Sequence, residues 1–333
     1  MKAAFIETTG APDMIRYGDL PDPVVGRGQV LVRVRACAVN PIDTYVRAGI
    51  VAMPLTFPFV VGCDLAGEVV AVGPGVDGLK PGDRVWGSNQ GLLGRQGCFS
   101  ELAAVDATWL YRTPAGVSDR DAAAGALVGI TAHLGLVTHA RLAAGETIFV
   151  NGGSGGVGSM VVQIAKRLGA RVVATASHDA GITRLAGYGV DAVIDRRQCG
   201  DRDGFAAAVR AAMPGGANVW WEALREPDFD QIVSLLADRG RIVLMAGREA
   251  RPTLPVGPFY VKEAVLMGFV MFKASWQEQA ACAADLHRWM AGGLRAPIGA
   301  VLPLAETAAA QRLQEEGTIG RTGRLDGKIV VEP

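Results

Sequence analysis

The order of apolar and polar residues changes character near residue 118. Before it, short alternating runs dominate. Residues 30–36 (Val-Leu-Val-Arg-Val-Arg-Ala) alternate apolar and polar side chains, the two-residue period of a half-buried strand. Residues 67–73 predict a second strand bounded by glycine, and residues 80–86 a turn followed by a third. Closely spaced strands punctuated by Gly and Pro predict a small barrel or sandwich. After residue 118 the strands become continuous apolar runs separated by helical stretches. The Ala-rich segment 119–138 predicts a helix with Ser118 or Asp119 as its N-cap. Strands at 147–151, 171–176, 192–195, 218–222 and 241–246 alternate with helices at 157–168, 182–188, 205–213 and 229–236. That alternation predicts a parallel, doubly wound sheet with both faces covered. A strand at 266–271, helices at 277–290 and 303–316, and a last strand at 328–331 follow. The expected organisation is α/β. Residues 1–122, completed by 265–333, form a barrel domain, and residues 123–264 form a dinucleotide-binding domain.

The sharpest chemical signal lies between the first predicted parallel strand and its helix. In Asn151-Gly-Gly-Ser-Gly-Gly-Val-Gly158, residues Gly153, Gly155 and Gly158 fit G-x-G-x-x-G, with Ser154, Gly156 and Val157 between them. The pattern means little alone, but here it follows a strand and opens a helix, the context it requires. The glycines permit a tight turn and bring backbone N–H groups close to a pyrophosphate, whose charge the helix N-terminus favours. No Gly-Lys-Ser/Thr follows, which argues against a phosphorylating P-loop. An NAD site usually carries Asp or Glu at the end of the second strand. Here that strand ends Ala174-Thr-Ala-Ser177-His178. Without a carboxylate at its tip, a 2′-phosphate meets less repulsion. Ser177 and His178 offer donors, and Arg196 or Arg197 offers a cation. NADPH is therefore expected over NADH, with Asp179 close enough to keep NADH open.

Composition narrows the field further. The 333 residues carry 33 Lys+Arg against 33 Asp+Glu, which argues against a polyanion binder or a basic membrane-surface protein. Cys37, Cys63, Cys98, Cys199 and Cys282 are odd in number and widely spaced, so no disulfide framework or Cys-x-x-Cys zinc knuckle is indicated. His133, His139, His178 and His287 lack ligand spacing and are expected on helix surfaces or loops. Neither a signal peptide nor an uninterrupted apolar span is evident, so a cytoplasmic location is expected. Without a Lewis acid, the favoured substrate is already electrophilic, such as a quinone or an enone.

Further motifs carry a resemblance. Residues 145–158 with Gln163 and Lys166, the segment Asn40-Pro-Ile-Asp-Thr-Tyr-Val-Arg47-Ala-Gly49, Lys80-Pro-Gly-Asp-Arg-Val85 and Gly97-Cys-Phe-Ser-Glu101 belong to it. Together they resemble the zinc-independent quinone oxidoreductases, zeta-crystallin type, of the medium-chain dehydrogenase/reductase superfamily. The resemblance runs over essentially the whole chain. It implies a GroES-like β-barrel catalytic domain, a Rossmann domain and a C-terminal return. It also implies that Asn40, Cys63 and Leu127 stand where zinc-dependent relatives hold Cys, His and a third ligand. A structural zinc lobe is expected near 88–97, where no Cys occurs. Cofactor contacts carried over by position are Tyr45, the glycine loop, Ser177, Arg196, Ala246, Gly247 and Arg248. Val270, Met271 and Phe272 are expected to pass the nicotinamide. Three departures stand out: Ser177 for a Gly, Gly181 where some relatives have a phosphate-binding Lys, and Trp220-Trp221-Glu222 for an aliphatic strand end.

The implied reaction is reduction of a quinone by NADPH. The Asn40 amide, the Tyr45 hydroxyl or backbone N–H groups are the expected oxyanion donors, and Thr131 is expected to position the nicotinamide. The alternatives are a 2-alkenal or enoyl-thioester reductase, and an NADPH-binding structural or RNA-associated protein. A homodimer or homotetramer is expected, with a small-molecule quinone or enone as partner and with no membrane or nucleic acid.

Overall fold

The computed structural model describes residues 1–318, 320 and 325–333. They form two compact units, one of Met1–Ile130 with Ala274–Pro333, the other of Thr131–Lys273.

The first unit opens with β1 (Lys2–Ile6), β2 (Arg16–Asp19) and the long β3 (Gln29–Val39). A short helix α1 (Pro41–Arg47) starts on Pro41, whose fixed φ and missing N–H suit a first helical position. Next come β4 (Phe59–Val60), β5 (Asp64–Val72), β6 (Arg84–Gly87), β7 (Leu102–Asp106), β8 (Leu110–Arg112) and α2 (Asp119–His133). The alternation read in residues 30–36 is real: Val30, Val32 and Val34 are buried while Arg33 and Arg35 are exposed. The helix expected over 119–138 changes winding, and Leu134–His139 form a π-turn. Segment 119–139 is apolar enough to span a membrane by composition, but 78% of its most apolar window is buried within the fold.

The second unit alternates strand and helix: β9 (Thr147–Asn151), α3 (Gly156–Arg167), β10 (Arg171–Ala176), α4 (Asp179–Gly187), β11 (Ala192–Asp195), α5 (Arg202–Ala212), β12 (Ala217–Glu222), α6 (Phe229–Leu235), β13 (Leu236–Leu244), α7 (Val256–Val261) and β14 (Val265–Gly268). All six strands are parallel, in the order β11-β10-β9-β12-β13-β14. That is the 3-2-1-4-5-6 order of a Rossmann sheet. Phe149, Val173, Phe205, Trp220, Phe229 and Ile232 form the core on one side of the sheet. The rings of Phe149 and Trp220 lie 4.1 Å apart, and burial of each such side chain contributes roughly 1.5–3 kcal/mol.

The chain then returns through α8 (Trp276–Ala291), β15 (Ile298–Pro303), α9 (Thr307–Thr318) and β16 (Lys328–Glu332). Helix α8 begins at a reciprocal capping box, with Ser275 N donating to Glu278 Oε2 at 2.8 Å. Strand β16 pairs antiparallel with β3 and parallel with β15, completing a sheet in the order β15-β16-β3-β5-β6-β8.

Three expectations differ from the structure. The strand after 265 was expected to begin the return. Instead Val265–Gly268 pairs in parallel with Arg241–Leu244 and is the sixth strand of the dinucleotide sheet. The return begins at Ala274. The helix expected from 303 starts at Thr307, because Ile298–Pro303 extend beside β16 as a strand. His133 is also not on a surface: it is 3% exposed on α2.

Candidate cofactor and catalytic sites

In the Rossmann unit the glycine loop joins β9 to α3. A Cβ on Gly158 would lie 2.1 Å from the Gly152 carbonyl oxygen, and one on Gly153 would lie 2.7 Å from Ala174 Cβ. Only glycine permits this close crossing of helix and strand. Helix α3 starts at Gly155, an exposed N-cap with no side chain satisfying the first turn. The N–H groups of a helix's first turn have no intrahelical acceptor. They therefore suit a pyrophosphate, and the site fits a dinucleotide.

Residues that sequence reasoning passed over hold this loop. The Glu222 carboxylate, at the end of β12, accepts from Asn151 Nδ2 at 2.9 Å, Trp220 Nε1 at 3.0 Å and Leu224 N at 2.7 Å. Asn151 in turn accepts from Thr175 Oγ1 at 3.2 Å, and Thr175 accepts from Gly152 N at 2.8 Å. Three adjacent strand tips are thereby tied to the turn. Burial raises the Glu222 carboxyl, while its donors favour the charged form. The sequence signal was available: polar residues at the ends of apolar strands point toward the ligand edge of a parallel sheet. Trp220 and Trp221 are both buried, so neither lies open to a ligand.

The other expected cofactor residues are scattered along the same unit. Ser177 is exposed at the tip of β10. His178 caps α4, its Nδ1 accepting from Gly181 N at 3.0 Å. Arg196 lies over the Phe205 ring at 4.2 Å. Gly247 adopts φ +86, and a Cβ there would lie 2.6 Å from the Arg225 carbonyl oxygen. Ala246 is half-buried, and Arg248 is exposed and paired with Glu249 at 3.3 Å. Val270 is exposed, Met271 buried and Phe272 half-buried. Thr131 is 3% exposed on α2.

In the GroES-like unit a buried polar cluster surrounds Asn40. Its Nδ2 donates to Ala38 O at 3.1 Å and Asp64 Oδ2 at 2.8 Å. Lys328 Nζ donates to Asn40 Oδ1 and, at 2.7 Å, to Val39 O. Asp43 accepts from Asn40 N at 2.8 Å, and Asp64 Oδ2 also accepts from Leu127 N at 3.2 Å. Burial pushes both carboxyls up and the Lys328 ammonium down. Asn40 is fully buried with its amide donors committed, so it offers no N–H to a developing oxyanion. Asp64 receives donors from residues 40 and 127 and follows Cys63 in sequence. The three positions named for zinc-dependent relatives therefore converge, but as an engaged amide, a thiol and a leucine. Among the described residues, no group of three or more His, Cys, Asp or Glu side chains is placed to hold a metal ion.

Tyr45 lies on the half-exposed face of α1. The opposite face is pinned by Arg47, fully buried, which donates to Gln311 Oε1 at 3.0 Å and Gly10 O at 2.7 Å and pairs with Glu315. Helix α1 thus holds Tyr45 on a backbone that α9 clamps.

A family model described as alcohol dehydrogenase GroES-like domain matches residues 26–115, and one described as zinc-binding dehydrogenase matches residues 156–286. With the Rossmann strand order and the glycine loop, these place the chain among the medium-chain dehydrogenases/reductases. The human quinone oxidoreductase is 30% identical over 329 residues, 98% of this chain and 97% of that protein. A solved mycobacterial quinone oxidoreductase is 29% identical with a TM-score of 0.85, each chain covered completely. Mycobacterial Rv1454c, solved in complex with NADPH, is 30% identical with a TM-score of 0.85, again over both full chains. The chain belongs to the quinone oxidoreductase family of this superfamily and is an oxidoreductase.

Proposed function

We propose that this chain is an NADPH-dependent oxidoreductase that reduces quinones without zinc. The observation that carries the reading is the uncapped helix N-terminus at Gly155, framed by Gly153 and Gly158, in a chain similar over its length to quinone oxidoreductases. When bound, the nicotinamide supplies a hydride to the acceptor. The protein holds the pyrophosphate on the first turn of α3 and orients the loop through Glu222, Asn151 and Thr175. Tyr45 is our donor to the developing oxyanion, since the Asn40 amide is committed. Thr131 is assigned to positioning the nicotinamide. An engaged Asn40 and an apolar Leu127 support operation without zinc. Five free cysteines fit a reducing, cytoplasmic location. Strand β14, the edge of the parallel sheet, exposes Val265 and Leu266 near Tyr260 and Val261 of α7 in the chain. That apolar edge supports a homo-oligomer.

An acceptor panel tests the reading. NADPH oxidation with 9,10-phenanthrenequinone and 1,4-naphthoquinone should outpace that with a 2-alkenal or crotonyl-CoA. Faster turnover of crotonyl-CoA would reassign the enzyme as an enoyl-thioester reductase. Tyr45→Phe should lower quinone turnover more than it lowers NADPH affinity. An unchanged turnover number in stopped-flow measurements removes Tyr45 from the chemistry.

A further inference from the structure

The tip of β10 is where a dinucleotide fold of this strand order meets the adenosine ribose. A cationic side chain at position 181 does not fit beside the present His178 ring. A Cβ there would lie 2.9 Å from His178 Cε1 and 2.9 Å from Ser154 Cβ. The positive charge at this tip comes from elsewhere, and the two adjacent arginines after β11 part company. Arg196 lies over Phe205. Arg197 reaches back to the start of α4, its NH2 2.6 Å from Asp179 Oδ1 and 2.8 Å from Asp195 Oδ2. Its Nε lies 2.9 Å from Asp195 Oδ1, so Asp195 grips the guanidinium along one edge. The two carboxylates differ in exposure. The Asp195 side chain is 15% exposed and Asp179 88%. Asp195 is thus the anchor, and Asp179 is a second partner held mostly in water, where an ion pair is easily exchanged.

We propose that Asp179 sets the cofactor preference by competing with the 2′-phosphate of NADPH for Arg197. The inference rests on the dinucleotide reading above. When the phosphate arrives, Arg197 exchanges the exposed carboxylate for a doubly charged group that its planar fork fits better. Asp195 keeps the guanidinium in place during the exchange. Giving up the Asp179 pair is what holds phosphate affinity down. When the ribose carries a free 2′-hydroxyl, Asp179 accepts from it, as a carboxylate near this strand tip does in NAD sites. The tip therefore takes both cofactors, with the preference for NADPH set by one exposed side chain.

Fluorescence titration of the full chain with NADPH and with NADH, at one fixed salt concentration, tests this. Asp179→Asn should raise the preference for NADPH by roughly tenfold, through tighter NADPH binding and weaker NADH binding. Asp179→Ser should do the same. Arg197→Leu should weaken NADPH while leaving NADH nearly unchanged, and adding Asp179→Asn to it should yield no further gain for NADPH. A preference that neither Asp179 variant moves overturns the proposal. So does a gain that persists when Arg197 is absent. Failure of the unmodified chain to bind either cofactor overturns the dinucleotide reading itself.

Discussion

In the GroES-like unit, the buried polar groups of Asn40, Asp43, Asp64 and Lys328 face one another. In the Rossmann unit, Glu222, Asn151 and Thr175 are equally well paired, yet the turn they support ends in a glycine cap that no side chain satisfies. Apart from Asp64 Oδ1, a buried acceptor, the first cluster uses its hydrogen-bonding capacity internally and holds the unit together. The second leaves donors over at a helix end. Buried polar residues alone therefore do not mark a ligand site; what marks one here is donor capacity left unmatched at an exposed helix end.

The comparison can be broken at either end. The largest effect is expected from Lys328→Met. It removes the cation buried beside Asp64 and Asn40 and should destabilise the chain by ~3–5 kcal/mol. Urea unfolding reads this, and NADPH affinity measured on the folded fraction should not change. A stable variant that binds NADPH poorly would reverse the roles assigned to the two clusters. Next is Gly158→Ala, whose Cβ would press on the Gly152 carbonyl. It should weaken NADPH binding by roughly 100-fold (about 2.7 kcal/mol), with a loss of stability of about 1–3 kcal/mol. Titration calorimetry showing undiminished affinity would count against the loop as the pyrophosphate site.

The last effect concerns pH. Burial pushes the Asp43 carboxyl from 3.8 up to about 8. Across that window the folded chain retains a proton that the unfolded chain has released. Stability should therefore fall as pH rises through that window. Asp43→Asn should flatten the slope between these limits. Parallel stability curves for the two proteins would show that Asp43 is not the group responsible.

The Rossmann half was readily legible because its inner strands β9, β10 and β12 are buried on both faces. Runs such as 147–151, 171–176 and 192–195 have nearly continuous apolar character and clear glycine boundaries. The barrel half was harder. Strands β4 and β8 are two and three residues long, too short for a period to register. Strand β14 misled because its apolar run extends past the point where pairing with β13 stops. At the sites, the glycine loop was visible as a local pattern. The Asn40 cluster was not, since its members are brought together by pairing between distant strands, and only a resemblance directed attention to Asn40. The exposed pair of Asp179 and Arg197 was equally hidden, because nothing local tells Arg197 to turn toward α4 while Arg196 turns toward Phe205.

Lys328 sits in the last strand and meets Asn40, which follows the third. The Rossmann unit is one uninterrupted stretch of chain, whereas the GroES-like unit joins residues 1–130 to residues 274–333. On a ribosome, which releases the chain from its N-terminus, residues 1–130 emerge before the ammonium that neutralises their buried carboxyls exists. The inserted unit has all of its own strands available to fold while they wait. Completion of the barrel thus waits for the return segment, and Lys328 acts as its closing latch.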